Sequence, residues 1–396
     1  MENKKCIGLV MAYTGTSYGM NLQAFATQHV IEKLGYSTEI IPVLESTSSL
    51  KNVPFDWGLL IYAPKMLIKR LTESKRPKDL YPVWDDLHSE NKKTRVEAAK
   101  RFRSHYLHSI GPKMSFDELA KYSEKYDAVL IGSDQCWLPG FSYSRRSSLS
   151  FVPDKVRRLS YATSLGVSAY PWYLRSSSRK AWKRFNFVSV REEAGRKIIK
   201  DICGEDFPVE LVVDPTYLIS YEEWLQLIPE KRMNEKKYVL SFILGNNKDQ
   251  MMCAKRFAQA KGLELVSILS NESSADIDTT YPDRVVVGAS PDEFVNYVRG
   301  AEYIFTDSFH GIAFSVINKK QFFAYYRKRR ETQAKYSRNS RIDNILQMWQ
   351  IQHRLITDYT IDWQSSDIKE IDYAKVDTLV EQMRSLSFEY LHKALP

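Results

Sequence analysis

Short apolar runs rich in β-branched residues alternate along the chain with longer amphipathic stretches, as in parallel strands joined by crossover helices. In the first half the pattern predicts strands at 7–13, 39–43, 128–131, 159–162, 187–190 and 211–213. In the second half it predicts strands at 238–244, 264–268, 284–287, 303–306, 321–326 and 354–356. The predicted fold class is therefore α/β.

A polar segment without hydrophobic periodicity, 229–237, separates the two sets of strands. Because 396 residues exceed what one hydrophobic core usually serves, we predict two Rossmann-like domains, 1–230 and 231–372, facing each other across a cleft. Residues 55–115 hold no convincing strand and are predicted to be a helical insertion in the first domain. Apolar positions at helical spacing in 373–396 predict a closing C-terminal helix that packs back across the domains.

The composition, 43% hydrophobic and 27% charged, is that of an ordinary globular protein. No stretch is long and apolar enough for a membrane-spanning helix, and the apolar run at 6–13 is too short for a signal peptide. The four cysteines are widely spaced without a CxxC pair, which indicates neither a disulfide framework nor a zinc site. We therefore expect a cytoplasmic protein with reduced thiols, no bound metal and no cofactor.

The net charge of +9 is concentrated in 319–341, where nine basic residues accompany one acidic residue. Such a segment directly after a predicted strand indicates an anionic ligand, although a solvated loop has the same composition. Nucleic acid is not expected, because no nucleic-acid-binding module accompanies the segment. Residues 57–71 mix apolar and basic side chains, so contact with an anionic membrane at the inner face of the plasma membrane is one interpretation and packing on the domain the other.

The first predicted strand runs into TGTSYG (14–19) and then a helix. Its glycines let the backbone approach a ligand, and the helix N-terminus favours an anion. Gly19, Asn21 and Gln23 are the candidate contacts there, although Asn21 and Gln23 are equally ordinary as residues at the start of a helix. The spacing is not GxGxxG and no P-loop motif occurs, so neither a dinucleotide site nor a P-loop site is expected.

Other polar residues follow predicted strands at their carboxyl ends, where open parallel sheets bind ligands. Asp134 and Gln135 come after the strand at 128–131, and Asp134 is suited to accept a proton from a sugar hydroxyl or to cap a helix. Arg191 follows the strand at 187–190, and its guanidinium can bind a carboxylate or phosphate, or pair with a neighbouring glutamate.

His310 is the leading catalytic candidate. It is the one histidine of seven that lies at a strand-to-helix turn in the second half, between the strand at 303–306 and an apolar helix. Imidazole transfers protons near neutral pH. A helix N-terminus disfavours the charged ring, but a bound phosphate or Asp307 would restore the charge.

Seven segments come in a fixed order along most of the chain: YGMNLQAFATQHVIEKLGY (18–36), DAVLIGSDQCW (127–137), YATSLG (161–166), FVSVREEAG (187–195), VVDPTYL (212–218), TDSFHGIAFSVI (306–317) and NSRIDNIL (339–346). Each is weak alone, but the ordered set resembles the polysaccharide pyruvyl transferase family. The resemblance implies a GT-B-like fold and phosphoenolpyruvate as donor. It also implies formation of a pyruvate ketal on a sugar of a surface polysaccharide or its lipid-linked repeat unit.

The same resemblance implies roles for individual residues. The family's proposed general acid matches His310, and an arginine after a strand of the first domain matches Arg191. Many members carry an arginine two residues before the histidine, where this chain has Ser308, so a cation from the basic segment is expected to replace it. We assign the general base to Asp134, donor binding to Arg191, Arg341, Ser308 and Lys320, and acceptor or phosphate binding to Gly19, Asn21, Gln23, Gln135 and Arg327.

Two other functions are compatible with the sequence. A nucleotide-sugar glycosyltransferase would use the same fold, since fold alone does not determine donor chemistry. A non-catalytic glycan- or anion-binding protein would explain the basic segment but not the combination of His310, Arg191 and Asp134. The sequence leaves the acceptor sugar and the oligomeric state open.

Overall fold

The computed structural model describes residues 4–42, 82–139, 145–245, 247–269, 280–327, 339–365 and 368–396. Within these ranges every paired strand is parallel and helices join the strands, so the predicted α/β class is confirmed. All twelve predicted strands are present, most of them shortened at one end.

The first sheet has the order β2-β1-β3-β4. Its strands are β1 (Cys6–Val10), β2 (Ser37–Ile40), β3 (Ala128–Ile131) and β4 (Arg157–Ser160). A two-stranded sheet of β5 (Ser189–Val190) and β6 (Glu210–Leu211) extends it, because single bridges join Leu159 to Phe187 and Thr163 to Val190. The helices of this half are α1 (Tyr18–Lys33), α2 (Pro82–Tyr106), α3 (Phe116–Tyr122), α4 (Arg175–Trp182), α5 (Glu193–Cys203) and α6 (Tyr221–Leu227).

The second sheet has six parallel strands in the order β12-β11-β10-β7-β8-β9. These are β7 (Tyr238–Phe242), β8 (Glu264–Ile268), β9 (Arg284–Val286), β10 (Tyr303–Thr306), β11 (Gln321–Tyr325) and β12 (Leu355–Ile356). The helices are α7 (Lys248–Ala260), α8 (Pro291–Gly300), α9 (Phe309–Ile317), α10 (Ser340–Met348) and α11 (Tyr373–Ala394).

Local sequence explains where several elements begin and end. Helix α8 starts at Pro291 after a capping box formed by Ser290 and Glu293. The α1 helix stops before Gly35, whose φ of +98° suits glycine. Strand β1 ends at Val10 rather than at residue 13, and the carbonyl of Ala12 beyond it accepts a hydrogen bond from the Gln23 side chain.

One hydrophobic cluster continues from the first half into the second. At its centre Tyr18 of α1 stacks on Phe294 of α8, with ring centroids 4.9 Å apart and planes inclined by 4°. Trp224 of α6 also meets Phe314 of α9 edge-on at 5.3 Å. The polar segment 229–237 lies between the two sheets along the chain, while the exact domain limits remain a prediction.

The predicted insertion is only partly visible, since 43–81 lie outside the described residues. Its described part contains the long helix α2, which packs on α1 through Phe102 and Tyr106 against Phe25. No helix in the described part of the chain is long and apolar enough to cross a bilayer.

Helix α11 joins the two halves, as the predicted closing helix should. Near its start, Asp377 pairs with Lys319 of the second half at 2.6 Å. Near its end, the hydroxyl of Tyr390 donates to the carbonyl of Ser160 in β4 at 2.7 Å. The predicted C-terminal helix is therefore confirmed.

Tyr390 should be the residue that anchors α11 to the first half. Its side chain is 1% exposed, so we expect Tyr390→Ala to lower the free energy of unfolding by about 3–5 kcal/mol, and Tyr390→Phe by about 1 kcal/mol. The measurement is urea denaturation, with Leu386→Ala as the control because Leu386 on the same helix is 50% exposed. Equal unfolding midpoints for Tyr390→Ala and Leu386→Ala would contradict this role.

Candidate active site

The carboxyl ends of the two sheets face a shared cavity of about 170 Å³ between the halves. Its described lining from the first half is Ser17, Tyr18, Gly19, Met20, Arg95, Asp134 and Gln135. From the second half come Phe242, Leu244, Ser308, Phe309, His310, Arg327 and Arg341. The structure thus brings together seven of the predicted site residues: Gly19, Asp134, Gln135, Ser308, His310, Arg327 and Arg341.

His310 lies in the first turn of α9, at the floor of the cavity. Ser308 is the N-cap of this helix, and its hydroxyl accepts a hydrogen bond from the Gly311 amide at 3.3 Å. The His310 Nε2 atom is buried, makes no hydrogen bond within the described part of the chain, and stands 3.7 Å from an oxygen of Asp214. The ring is therefore held beside a carboxylate, and the residue itself forms part of the cavity wall.

Gly19 contacts His310 from the opposite half. A Cβ atom at Gly19 would lie 2.0 Å from the His310 Nδ1 atom, closer than any real side-chain contact. Only glycine therefore allows α1 to approach the imidazole at this point. Gly19 therefore lies in the cavity wall, as predicted for a contact residue, and there it packs against His310.

Asp214, which is not among the predicted site residues, connects the buried polar groups. Its carboxylate accepts hydrogen bonds from the hydroxyls of Ser133 and Thr216, both at 2.8 Å, and from Arg191 Nη1 at 2.5 Å. Burial alone would raise the pKa of Asp214, but the neighbouring His310 and Arg191 outweigh burial and hold the pKa well below its usual range. Asp214 is thus a permanent anion behind the histidine.

Arg191 is 1% exposed and lies behind the cavity rather than in its wall, which corrects its assignment to direct donor binding. Its guanidinium pairs with Asp214, stacks 4.2 Å from the ring centroid of Phe309, and has Nη2 4.0 Å from Asp134. Burial would lower the pKa of Arg191, but Asp214, Glu192 and Asp134 raise it. In this structure Arg191 therefore forms salt bridges with neighbouring carboxylates, which is the alternative to ligand binding.

Asp134 faces the cavity from the first half. It has a φ of +79°, an unfavourable conformation for a residue other than glycine. Its carbonyl accepts hydrogen bonds from the amides of Cys136 at 2.8 Å and Ser164 at 2.9 Å, which hold this conformation. The side chain, 27% exposed, is the most accessible carboxylate of the cluster and is placed to act as a base.

Three arginines give the described cavity wall a positive charge. Arg95 comes from α2, Arg327 follows β11, and Arg341 lies in the first turn of α10. Arg327 Nε is 3.6 Å from a carboxylate oxygen of Asp307. Burial and the positive charges of Arg327 and Arg191 lower the pKa of Arg341. Such crowding of cations favours an anionic ligand.

Asn21 and Gln23 are not ligand contacts in this structure. Both side chains are fully buried, and Asn21 Nδ2 donates to the carbonyls of Gly15 at 3.1 Å and Ser17 at 2.8 Å. Gln23 Nε2 donates to the carbonyls of Ala12 and Met20. They hold the shape of the 14–19 turn, because buried backbone carbonyls need partners.

Lys320 also requires correction as a donor-binding residue. It directly precedes β11, so it lies at the amino edge of the second sheet, opposite the cavity. Its amide donates to the carbonyl of Ser315 at 2.8 Å. The basic segment is therefore divided between two edges of the sheet. The rest of it, 328–338, lies outside the described residues, and so does the segment 57–71 for which membrane contact is one interpretation.

Two functional candidates were missed by local sequence patterns. Asp214 follows a strand just as Asp134 does, so the same rule of polar residues at strand ends would have found it. Arg95 lies within a highly charged helix and has no distinguishing local pattern. No cluster of three or more His, Cys, Asp or Glu side chains suited to a metal occurs among the residues the structure describes.

The two facing parallel-sheet halves define a GT-B-like α/β protein with a cationic cleft. The sequence profile of the polysaccharide pyruvyl transferase family matches residues 18–329, so the chain belongs to that family. No curated protein matches the sequence.

Three solved structures resemble this chain, and the first of them supports the GT-B-like class. The UDP-GlcNAc 2-epimerase of Methanocaldococcus jannaschii has 10% identity and a TM-score of 0.50, covering 97% of this chain and 99% of its own. The UDP-GlcNAc 2-epimerase of Neisseria meningitidis has 11% identity and a TM-score of 0.45, with coverage of 98% and 100%. UGT89C1 of Arabidopsis thaliana has 10% identity and a TM-score of 0.48, with coverage of 99% and 98%. At these identities the likeness concerns the fold alone.

Gly19→Ala should displace the His310 ring and lower transferase turnover by roughly 10²-fold, since a misplacement of about 1 Å is enough for such a loss. Gly15→Ala is the matched control in the same turn, because its added Cβ meets only the flexible end of Met20. Both variants are assayed for turnover and for thermal unfolding. Equal turnover in the two variants would show that the Gly19 contact does not position His310.

Proposed function

We propose that this protein transfers a pyruvyl group from phosphoenolpyruvate to a sugar of a surface polysaccharide or of its lipid-linked repeat unit, forming a pyruvate ketal. The observation that carries the proposal is the placement of His310. In a chain of this family, the imidazole lies between the buried anion of Asp214 and a cavity lined by three arginines and Asp134.

The cavity suits a small donor with two anionic groups. Phosphoenolpyruvate carries a phosphate and a carboxylate on one enol carbon, and guanidinium groups bind both kinds of oxyanion in bidentate geometry. Arg327 and Arg341 are the proposed ligands from the second half. The cavity has a volume of about 170 Å³ within the described residues. A nucleotide sugar is the alternative donor, and the activity assay distinguishes the two.

In the proposed reaction His310 acts as the general acid. Its proton goes to the methylene carbon of phosphoenolpyruvate, which becomes a methyl group and leaves positive charge at C2. A sugar hydroxyl forms a bond to C2 and gives its proton to Asp134. The bond from C2 to the phosphate oxygen then breaks and a second hydroxyl closes the ketal. The proton released by the first hydroxyl thus balances the proton that His310 delivered to carbon. The proton of the second hydroxyl leaves with the phosphate.

Asp214 and Arg191 are positioning residues in this scheme. The carboxylate of Asp214 lies 3.7 Å from Nε2 and holds the imidazole ring beside the cavity. Arg191 keeps Asp214 ionised and oriented through its hydrogen bond.

His310→Ala should lower turnover by roughly 10²-fold or more while the fold is retained. The assay incubates the enzyme with phosphoenolpyruvate and candidate saccharides, and records phosphate release together with an added pyruvyl mass on the acceptor. His392→Ala is the matched control, since this histidine is exposed on α11 and distant from the cavity. Near-normal turnover of His310→Ala would remove the general acid from the scheme. Activity with a UDP-sugar but not with phosphoenolpyruvate would favour the glycosyltransferase alternative.

Asp214→Asn should lower turnover by roughly 10-fold or more, because it removes the buried anion that lies 3.7 Å from His310 Nε2 and accepts the hydrogen bond of Arg191. The measurement is the phosphate-release and pyruvyl-mass assay, with thermal unfolding recorded for each variant. Ser133→Ala is the control, because it removes a hydrogen bond to Asp214 without changing charge. Equal turnover in Asp214→Asn and Ser133→Ala would be inconsistent with the proposed role of Asp214.

A further inference from the structure

We propose that Arg95, brought into the cleft by the helical insertion, is a donor-binding residue that forms a three-arginine anion site with Arg327 and Arg341. The proposal rests on the proposed function, in which the donor carries a phosphate and a carboxylate. It assigns to the insertion a direct part in recognising the donor.

The packing of α2 determines where Arg95 lies. Helix α2 lies against α1 of the first half and α8 of the second half. Its Thr94 fits against Gly288, where an added Cβ would lie 2.3 Å from the Thr94 Cγ2 atom and where φ is +75°. The second half therefore holds the helix at the residue next to Arg95. With this contact in place, the Arg95 side chain is 7% exposed and forms part of the cavity wall.

The described cavity wall presents three guanidinium groups, from Arg95, Arg327 and Arg341, together with the carboxylate of Asp134. Guanidinium groups bind phosphate and carboxylate oxygens through charge-assisted hydrogen bonds. This wall therefore has the chemistry that a small ligand with two anionic groups requires.

The carboxylates of Asp307 and Glu192, behind the cavity wall, accept hydrogen bonds from groups other than the three arginines. Asp307 accepts the amides of Leu244 at 2.7 Å and Gly245 at 2.8 Å. Glu192 accepts the Ser164 hydroxyl at 2.5 Å and lies outside the cavity lining. Asp307 also lies 3.6 Å from Arg327 Nε, so this carboxylate pairs with one arginine from behind while Arg327 still lines the cavity.

Three arginines are sufficient to bind a donor with two anionic groups. One guanidinium binds one phosphate or carboxylate in a fork of two parallel hydrogen bonds. Arg327 and Arg341 both come from the second half, whereas Arg95 approaches from the insertion. Arg95 therefore allows the donor to be held from both sides of the cleft, beside His310.

A structural role for Arg95 is the competing explanation. Its neighbour Tyr18 stacks on Phe294 at the junction of the halves. Burial raises the pKa of Tyr18 to about 12, and the positive charge of Arg95 opposes this effect. If Arg95 served only to support Tyr18, its removal would reduce stability without a specific effect on donor affinity.

The test measures binding of phosphoenolpyruvate, inorganic phosphate and pyruvate by calorimetry to the full-length protein and three variants. Arg95→Gln removes the charge, Arg95→Lys keeps the charge without the fork, and Arg101→Gln is the matched control on the exposed face of α2. We expect Arg95→Gln to weaken phosphoenolpyruvate binding about 10- to 100-fold, as for loss of a charged hydrogen bond. Arg95→Lys should weaken it less, and Arg101→Gln should bind as the unmodified protein does.

The two smaller probes identify the contacted group. A selective loss of phosphate affinity in Arg95→Gln places Arg95 at the phosphoryl end of the donor, and a selective loss of pyruvate affinity places it at the carboxylate end. Both outcomes support the proposal. Unchanged phosphoenolpyruvate affinity in Arg95→Gln overturns it.

Thermal unfolding separates binding from folding. If Arg95→Gln fails to fold, the affinity of Arg95→Lys for phosphoenolpyruvate is the deciding measurement. Full affinity in Arg95→Lys overturns the proposed forked contact. A lowered melting temperature with unchanged affinity assigns Arg95 to support of Tyr18 and also overturns the proposal. If the unmodified protein does not bind phosphoenolpyruvate, the proposed function fails, and that failure is visible before any variant is compared.

Discussion

The buried carboxylate of Asp214 is the interaction on which the geometry of the cleft depends. A charge without exposure to water is tolerated only when it is paired and hydrogen-bonded, and here Ser133, Thr216 and Arg191 meet that requirement. All four groups belong to the first half, yet the carboxylate stands 3.7 Å from His310 of the second half. The environment of the candidate acid is therefore set by the opposite half of the molecule.

This dependence requires the halves to keep a fixed relation, and the packing between them supplies it. The stack of Tyr18 on Phe294, the fit of Gly19 against His310 and the bridging helix α11 all cross the junction. Because a large hydrophobic interface opposes relative domain motion, the continuous core favours a preformed cleft over wide hinge opening. A preformed cleft suits a small, strongly charged ligand. The entropy of ordering the binding side chains is then lost during folding, not during binding.

Sequence patterns predicted the sheets well because parallel strands are apolar on both faces and stand out as short runs. They also located His310 and Asp134, which lie immediately after such runs. They misassigned Asn21 and Gln23, because an amide that satisfies backbone carbonyls cannot be distinguished from one that awaits a ligand. Sequence patterns could not identify Arg95, because its position depends on how α2 packs between α1 and α8 rather than on its neighbours in the chain.

The basic segment shows how strand direction determines the use of charge. Lys320 and Arg327 are seven positions apart, but β11 lies between them and carries the chain about 16 Å, from one edge of the sheet to the other. Of the clustered positive charge, the described residues place only Arg327 and Arg341 in the cavity. The third arginine of the wall comes from the insertion in the first half. The cationic character of the cleft therefore arises from topology. The charge along the sequence overstates the contribution of the basic segment and gives no sign of the contribution of the insertion.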